Sequence, residues 1–254
     1  MVYPDPLPPA FASPADALTT GPRRVMALAE VVLCSSLPTQ IVIGQLLAAA
    51  GLDPRGANGQ LSPPFAFALL LLDSIVLIAL MVILTRAHRE SVRELWLGNR
   101  PIVPEIGLGL ALVPLVFLIV GFVLTGLMRV LPGLHNVTEN PIEQLAAGGP
   151  HDAAMLGMIA VLAGGVREEL QRAFLLRRFD QHLGGPLVGV LVLSMAFGLG
   201  HYPQGWDAVI ATGLLGAIWA IVYLRRRSSV APMVSHAGFN SLEVLRVALM
   251  GSST

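Results

Sequence analysis

Long apolar segments recur along the chain, and they limit its fold more than any other feature. Hydrophobic residues make up 54% of the sequence and charged residues only 13%, whereas a soluble domain carries about 25% charged residues. A helix that crosses a bilayer needs about 20 mostly apolar residues. Segments of that kind lie at about 25–50, 64–85, 105–130, 153–176, 185–201, 207–224 and 230–250. The sequence therefore predicts an all-α fold, a polytopic transmembrane helical bundle of seven spans, with an eighth short or re-entrant segment as the alternative.

The segments between and beyond the apolar ones have their own predictions. Residues 1–22 hold six prolines and are predicted to be a disordered tail, and residues 251–254 form a C-terminal tail. Residues 23–104 are predicted to contain two transmembrane helices, the first kinked at Pro38. They also contain an amphipathic interfacial helix at 86–100, with Trp96 at the level of the lipid headgroups.

The distribution of charge predicts orientation and excludes one class of partner. Arginines cluster in alternate connections, at 23–24, 86–100, 177–178 and 225–227. Positive loops stay on the cytoplasmic side, so we expect a multi-pass protein of the inner or plasma membrane with a cytoplasmic N-terminus. All 16 basic residues are Arg, which favours a GC-rich bacterial genome. The net charge is zero, which argues against nucleic acid as a partner.

A charged stretch interrupts the fourth apolar segment. It runs from Gly164 to Arg172 and places Arg167, Glu168 and Glu169 where hydrocarbon is expected. Ionisable groups in a membrane segment cost several kcal/mol unless they are paired or face water, and they are usually functional. The stretch therefore predicts a functional site.

Two further apolar segments carry polar residues that suit this site. His201 ends the fifth segment, and His236 and Asn240 open the seventh. Residues i and i+4 of a helix share a face, so His236 should point with Asn240, and Glu168 with Arg172. A histidine beside an asparagine can hold an oxyanion, and a carboxylate beside two histidines can activate water. Two histidines and a carboxylate also form zinc sites, so a metal site made by Glu168, His201 and His236 is an alternative.

Three motifs in separate apolar segments together resemble a known family. They are Glu168-Glu169 with Arg172, Phe197-x-x-x-His201, and His236-x-x-x-Asn240. In this order they resemble the CPBP intramembrane proteases, also called the CAAX protease, bacteriocin-processing or Abi family. That family includes the endopeptidase that removes the last three residues of prenylated CAAX proteins. The resemblance covers roughly residues 105–250 and implies that they form a catalytic membrane core.

The resemblance also implies roles for the motif residues. A glutamate of the first motif would be the general base, acting with His201. His236 and Asn240 would stabilise the tetrahedral oxyanion, and Arg172 would hold the second glutamate, with Phe197 as a supporting residue. Zinc or another divalent metal is one expected cofactor for the family, and a metal-free glutamate mechanism is the other.

The first motif departs from the family pattern, which is Glu-Glu-x-x-x-Arg. Here Arg172 follows Glu168 by four residues instead of five. If Arg172 is kept in register, Glu168 takes the second family position and Arg167 the first; if the acidic pair is kept, one residue is missing after it. A slip of one residue turns a helix by about 100°. Glu168 is an acidic motif position in both alignments, so we rank it above Glu169 as the base.

The sequence thus predicts an intramembrane peptidase that hydrolyses a membrane-associated, hydrophobic or lipidated peptide or protein. A catalytically silent membrane scaffold that binds a partner is the alternative, supported by the shortened motif. A proton-coupled transporter would use the same buried carboxylates, but it predicts inverted repeats, which are not visible in the sequence.

Overall fold

A computed structural model describes residues 21–56, 59–137, 140, 144–145 and 149–250. These residues form an all-α bundle, in which the isolated bridge between Arg55 and Leu61 is the only β pairing described. The helices are α1 (Gly21–Leu33), α2 (Leu37–Ala49), α3 (Pro63–Ala87), α4 (Val92–Trp96), α5 (Ile102–Val130), α6 (Pro150–Ile159), a π-helical segment (Ala160–Arg167), α7 (Glu168–His182), α8 (Pro186–Gly200), α9 (Trp206–Arg226) and α10 (Val230–Met250). The predicted tails lie outside the described residues, except that residues 21 and 22 begin α1.

Proline, serine and glycine set the helix boundaries. Helices α2, α3, α6 and α8 each have proline at one of their first two positions, where its missing N–H costs nothing. Ser91 caps α4, since its Oγ accepts a 3.2 Å hydrogen bond from the Glu94 N–H. Gly185 and Gly205 precede α8 and α9 with φ of 93° and 111°, a conformation that glycine adopts without strain.

The first predicted span is a broken helix. Helices α1 and α2 meet at an angle of 42°, and Ser36, between them, has a positive φ of 73°. Pro38 lies in the first turn of α2, where it cannot continue the ladder of α1. The predicted bend at this proline is confirmed, but two helices replace the single kinked one.

The predicted count of seven spans is not confirmed. Among the described residues, only α3, α5 and α9 are long and apolar enough to cross a membrane, and the bent pair of α1 and α2 raises the count to four at most. Helix α8 has 15 residues, or about 22 Å, against a hydrocarbon core of about 30 Å. Helix α7 carries several charges yet buries most of its residues inside the bundle.

The predicted interfacial helix is reduced to the five residues of α4. Trp96 is buried, and its indole Nε1 donates a 3.1 Å hydrogen bond to the Leu170 carbonyl of α7. Its apolar ring and polar N–H both find partners within the protein. Trp96 therefore packs against α7, and its predicted position at the level of the lipid headgroups stays a prediction.

Three of the predicted arginine clusters meet at one end of the bundle, here called the arginine-rich end. The Ser229 N–H donates a 2.7 Å hydrogen bond to the Trp96 carbonyl, and the Arg100 Nε donates a 3.0 Å bond to the Arg226 carbonyl. Arg226 also pairs with the buried Glu105 of α5. These contacts fix the end of α9 and the start of α10 against α4, α5 and the loop between them.

A network at the same end, called the end cluster below, joins α1, α3 and α7. Its members are Glu30, His88, Glu90, Arg177, Arg178 and Gln181. Arg178 is almost fully buried, with its Nε 2.8 Å from Glu30 Oε2 and its Nη2 3.1 Å from Glu90 Oε2. His88 Nε2 lies 2.5 Å from the other Glu30 oxygen. The end cluster ties the broken N-terminal helix to the charged helix α7.

Candidate active site

The charged stretch lies within one continuous helical rod formed by α6, the π-helical segment and α7. The π-helical segment covers Ala160–Arg167 and ends where the glutamate pair begins. Segments of π-helix are rare and often occur at functional sites. Two glycines within it allow α10 to come close, since a Cβ on Gly165 would lie 2.8 Å from the Ala237 Cα and 2.9 Å from its nitrogen.

Glu169 is the buried member of the acidic pair, with an exposed fraction of 2%. Its Oε1 forms an ion pair with Arg172 and lies 2.8 Å from His236 Nδ1. An ionised carboxylate only accepts, so the proton of this bond belongs to His236 Nδ1. Glu168 and Arg172 were expected to share a helix face, but the Arg172 guanidinium contacts Glu169, three residues before it. This contact agrees with the role that the resemblance implies for Arg172.

Glu168 lies beside the other nitrogen of the same imidazole. Its Oε2 is 3.9 Å from His236 Nε2, and its Oε1 is 3.7 Å from Arg167 Nη2. Both distances exceed those of direct hydrogen bonds, and 22% of the Glu168 side chain is exposed. One histidine thus faces a tightly held carboxylate on one side and a looser, accessible carboxylate on the other.

His236 and Asn240 lie on one face of α10, as predicted from their spacing. A Cβ on Gly164 would lie 3.9 Å from His236 Nε2 and would overlap the Asn240 Nδ2. Asn240 Nδ2 also donates a 3.1 Å hydrogen bond to the Ala160 carbonyl of the π-helical segment, which leaves its second N–H for another acceptor. Gly164 therefore provides the room in which these two nitrogens converge.

Trp219 of α9 fixes the orientation of His236. The two rings stack with centroids 3.8 Å apart and planes inclined by 17°, and the indole Nε1 donates a 3.1 Å hydrogen bond to Ser235 Oγ. Sequence reasoning missed this residue. The available signal was a tryptophan in mid-helix, away from the interfaces where tryptophan is enriched, whose N–H needs a buried partner.

His201 contacts Phe197, which in turn packs against His236 and Arg172. Its Nδ1 lies 2.9 Å from the Phe197 carbonyl, which only accepts, so Nδ1 carries the proton and Nε2 of the neutral ring remains an acceptor. The Phe197 ring lies 4.8 Å from the His201 ring and 6.0 Å from the His236 ring, and it packs under the Arg172 guanidinium. Among the described residues, His201 makes no ion pair with either glutamate.

The three predicted metal ligands do not fit a metal site in this arrangement. Zinc binds nitrogen and oxygen ligands that all lie about 2.0–2.2 Å from one point. Within the described part of the chain, no three His, Cys, Asp or Glu side chains are grouped closely enough to hold an ion. Glu168 and His236 are neighbours, whereas His201 joins them only across Phe197.

Comparison with known proteins agrees with the motifs. Residues 150–242 match the family described as Rce1-like, type II CAAX prenyl endopeptidase Rce1-like. The matched segment begins with α6 and includes all three motifs. Over this segment, the match confirms the predicted resemblance to the family, and because that family is a protease family it supports a hydrolase in general terms. No curated protein and no solved structure matches the chain.

Proposed function

We propose that this protein is an intramembrane endopeptidase in which Glu168 activates a water molecule for attack on a peptide bond. One observation carries the proposal: Glu168 Oε2 and His236 Nε2 face each other at 3.9 Å. That distance suits a bridging water better than a direct bond. His236 is backed by the buried Glu169 and by Trp219, so its ring is oriented before a substrate arrives.

The proposed reaction begins with proton transfer from water to Glu168 as the oxygen adds to the carbonyl carbon. The resulting oxyanion accepts hydrogen bonds from His236 Nε2, in the protonated ring, and from the second N–H of Asn240. Glu168 then delivers this proton to the amine nitrogen as the C–N bond breaks, and His201 Nε2 accepts the second proton of the attacking water as the product carboxylate forms. Arg172 balances the charge of Glu169 throughout.

The proposed substrate is a hydrophobic or lipidated peptide or protein in the bilayer. The description of the matched family names a CAAX prenyl endopeptidase, so a prenylated C-terminal segment is one form of it, and a bacterial peptide undergoing maturation is another. We place the arginine-rich end, and with it the N-terminus, on the cytoplasmic side of a bacterial cell membrane.

A direct test uses an internally quenched farnesylated peptide ending in a CAAX tetrapeptide, beside the same peptide without the lipid. The purified protein in detergent should cleave the lipidated peptide, and Glu168→Gln should reduce kcat by about 10²- to 10⁴-fold. Equal turnover by wild type, Glu168→Gln, Glu169→Gln and His201→Ala would contradict the peptidase proposal and favour the scaffold.

We propose further that the reaction is of the glutamate type. The separation of His201 from Glu168 and His236 supports this, since a catalytic zinc uses three protein ligands around one ion. Metal analysis of the active protein and treatment with phenanthroline test it. We expect full activity without bound metal; stoichiometric zinc whose removal abolishes cleavage would overturn the glutamate version alone.

A further inference from the structure

The mechanism proposed above leaves a second buried charge pair unused, beside Glu168. Arg167 is the last residue of the π-helical segment and is almost fully buried. Its Nη2 lies 3.8 Å from Asp73 Oδ2 and 3.7 Å from Glu168 Oε1. One guanidinium nitrogen is therefore shared between a fully buried carboxylate of α3 and the proposed general base.

Asp73 is fixed on its other side by the broken N-terminal helix. Its Oδ1 accepts a 2.5 Å hydrogen bond from Thr39 Oγ1, and its Oδ2 accepts a 3.3 Å bond from Gln40 Nε2. Both donors lie in the first turn of α2. A buried carboxylate needs such partners to remain in place, so the position of Asp73 depends on α2.

The break between α1 and α2 also holds Arg167 directly. Arg167 Nη1 donates to Ser36 Oγ at 3.1 Å and to Gln171 Oε1 at 2.9 Å. Gln171 Nε2 in turn donates to the Cys34 carbonyl at 2.5 Å, an acceptor at the end of α1 that has no helical partner. Ser36, with its positive φ, therefore supplies its hydroxyl at the place where α1 ends.

The Glu168 side chain is 22% exposed, whereas Arg167 and its partners Asp73, Ser36 and Gln171 are buried. Each of these buried side chains has at least two polar contacts, so Arg167 is a fixed positive charge next to a partly exposed carboxylate. Coulomb attraction between unit charges at such distances is stronger in a protein interior than in water. Arg167 can thus select the orientation in which the second Glu168 oxygen faces His236.

We infer that Arg167 is a positioning residue for Glu168, and that Asp73 and the break between α1 and α2 hold Arg167 in place. The inference rests on the proposed function. It assigns part of the site to residues 34–40 and 73, which lie outside the matched segment 150–242. It also gives a role to the shortened first motif, in which Arg167 immediately precedes the acidic pair.

Kinetics of purified variants on the quenched farnesylated peptide test the inference. Arg167→Gln should lower kcat about 10- to 100-fold with KM within about twofold, since a displacement of about 1 Å can cost that much. Arg167→Lys should recover part of the loss, because lysine restores the positive charge but not the planar set of N–H donors of the guanidinium. Asp73→Asn should lower kcat about tenfold. The double variant Asp73→Asn/Arg167→Gln should be no worse than Arg167→Gln, since both changes act along one chain of contacts.

Glu105→Gln is the matched control, because Glu105 is an equally buried carboxylate paired with an arginine away from the site. It should lower thermal stability in detergent and leave kcat of the folded protein unchanged. If the losses of kcat at Arg167 and Asp73 only follow the loss of folded protein, as at Glu105, the two residues are structural and the inference fails. Wild-type kcat in folded Arg167→Gln would also overturn it.

A crystal structure of the Arg167→Gln variant separates this inference from the proposed function. We expect the Glu168 carboxylate to move away from His236 by about 1 Å or more, while Glu169 stays in contact with His236 Nδ1. An unmoved Glu168 would contradict the positioning role even if the protein cleaves peptides. A moved Glu168 in a protein that cleaves nothing would support the positioning role and contradict the peptidase proposal.

Discussion

The end cluster and the site group, made of Glu168, Glu169, Arg172 and His236, contain the same kinds of side chain. Each has two glutamates, a buried arginine and a histidine. In the end cluster, all four carboxylate oxygens lie within 3.3 Å of a nitrogen from another helix or loop.

In the site group, Glu169 is held through its Oε1 by Arg172 and His236, and the Glu168 oxygens lie 3.7 Å and 3.9 Å from the nearest cationic nitrogens. The comparison shows that buried charges alone do not distinguish a reactive group from a structural one. A carboxylate whose oxygens lie in close contact with cationic nitrogens stabilises the fold. One that lies farther from them and is partly exposed can accept a proton from a water molecule. Four predictions test this distinction, from the largest expected effect to the smallest.

The two histidines give the sharpest contrast, since each contacts a buried glutamate. His236→Gln should lower kcat by about 10²- to 10⁴-fold, because it removes the group that faces Glu168. His88→Gln should leave kcat close to wild type, because His88 lies in the end cluster. Both are measured as initial rates of peptide cleavage by monomeric, folded protein. Comparable losses of kcat in the two variants would contradict the distinction between a reactive site group and a structural end cluster.

The buried arginine of the end cluster should contribute to the stability of the folded protein. Arg178→Met leaves Glu30 and Glu90 without their shared cation, and breaking a buried pair costs about 3–5 kcal/mol. Denaturant unfolding in detergent measures this change. Adding Glu30→Gln should recover part of the loss, because one uncompensated charge is removed. A single variant as stable as wild type would show that the end cluster does not hold α1 and α3 to α7.

Close packing around the site should respond to one methyl group. Gly165→Ala places a Cβ against the backbone of Ala237, and such overpacking costs about 1–3 kcal/mol. Activity should fall as well, since α10 carries His236. Gly107→Ala is the control, because a Cβ there meets no other atom within 4 Å, and it should be neutral or slightly stabilising. Equal stability of the two variants would show that α10 can move away without loss.

Acid should weaken the end cluster slightly. Burial acts to raise the pKa of Glu90, but the Gln181 hydrogen bond and the charges of Arg178 and Arg177 outweigh it and hold the pKa below its ordinary value of 4.5. The stabilisation is therefore complete above the unfolded pKa and is lost as the pH falls through the folded value. Below about pH 4.5, wild type should lose more stability than Glu90→Gln, by at most about 1 kcal/mol for this partly exposed group. If the stabilities of wild type and Glu90→Gln fall equally with pH, Glu90 does not contribute the pH-dependent stabilisation.

Much of the fold follows from the sequence because the apolar segments are long and end at proline, glycine or arginine. The predicted boundaries of the third, sixth and seventh segments lie within a few residues of α5, α9 and α10. The span count is not confirmed, because apolar length does not distinguish a helix that crosses lipid from one that is short, such as α8, or surrounded by other helices, such as α7.

Those features of the site that depend on residue spacing within one helix were predictable from the sequence. The spacing of His236 and Asn240 places them on one face of α10 whatever the rest of the chain does. The partner of Arg172 did not follow from helix spacing, because both glutamates are within reach of a flexible guanidinium. Nothing in the sequence of 160–167 indicates a π-helix, and Trp219 enters the site only through the packing of α9 on α10.

The ion pair between Glu169 and Arg172 has a consequence for membrane insertion. Both residues belong to α7, so their charges cancel within one helix and need no other segment. During synthesis, the end of α7 precedes His236 by roughly fifty residues. Helix α7 therefore lies in or near the bilayer before α10 is available to contact it. The free-energy cost of placing a helix in the bilayer is lower when its two charges neutralise each other than when they are separate. The pair thus makes the proposed catalytic segment compatible with the order in which the helices leave the ribosome.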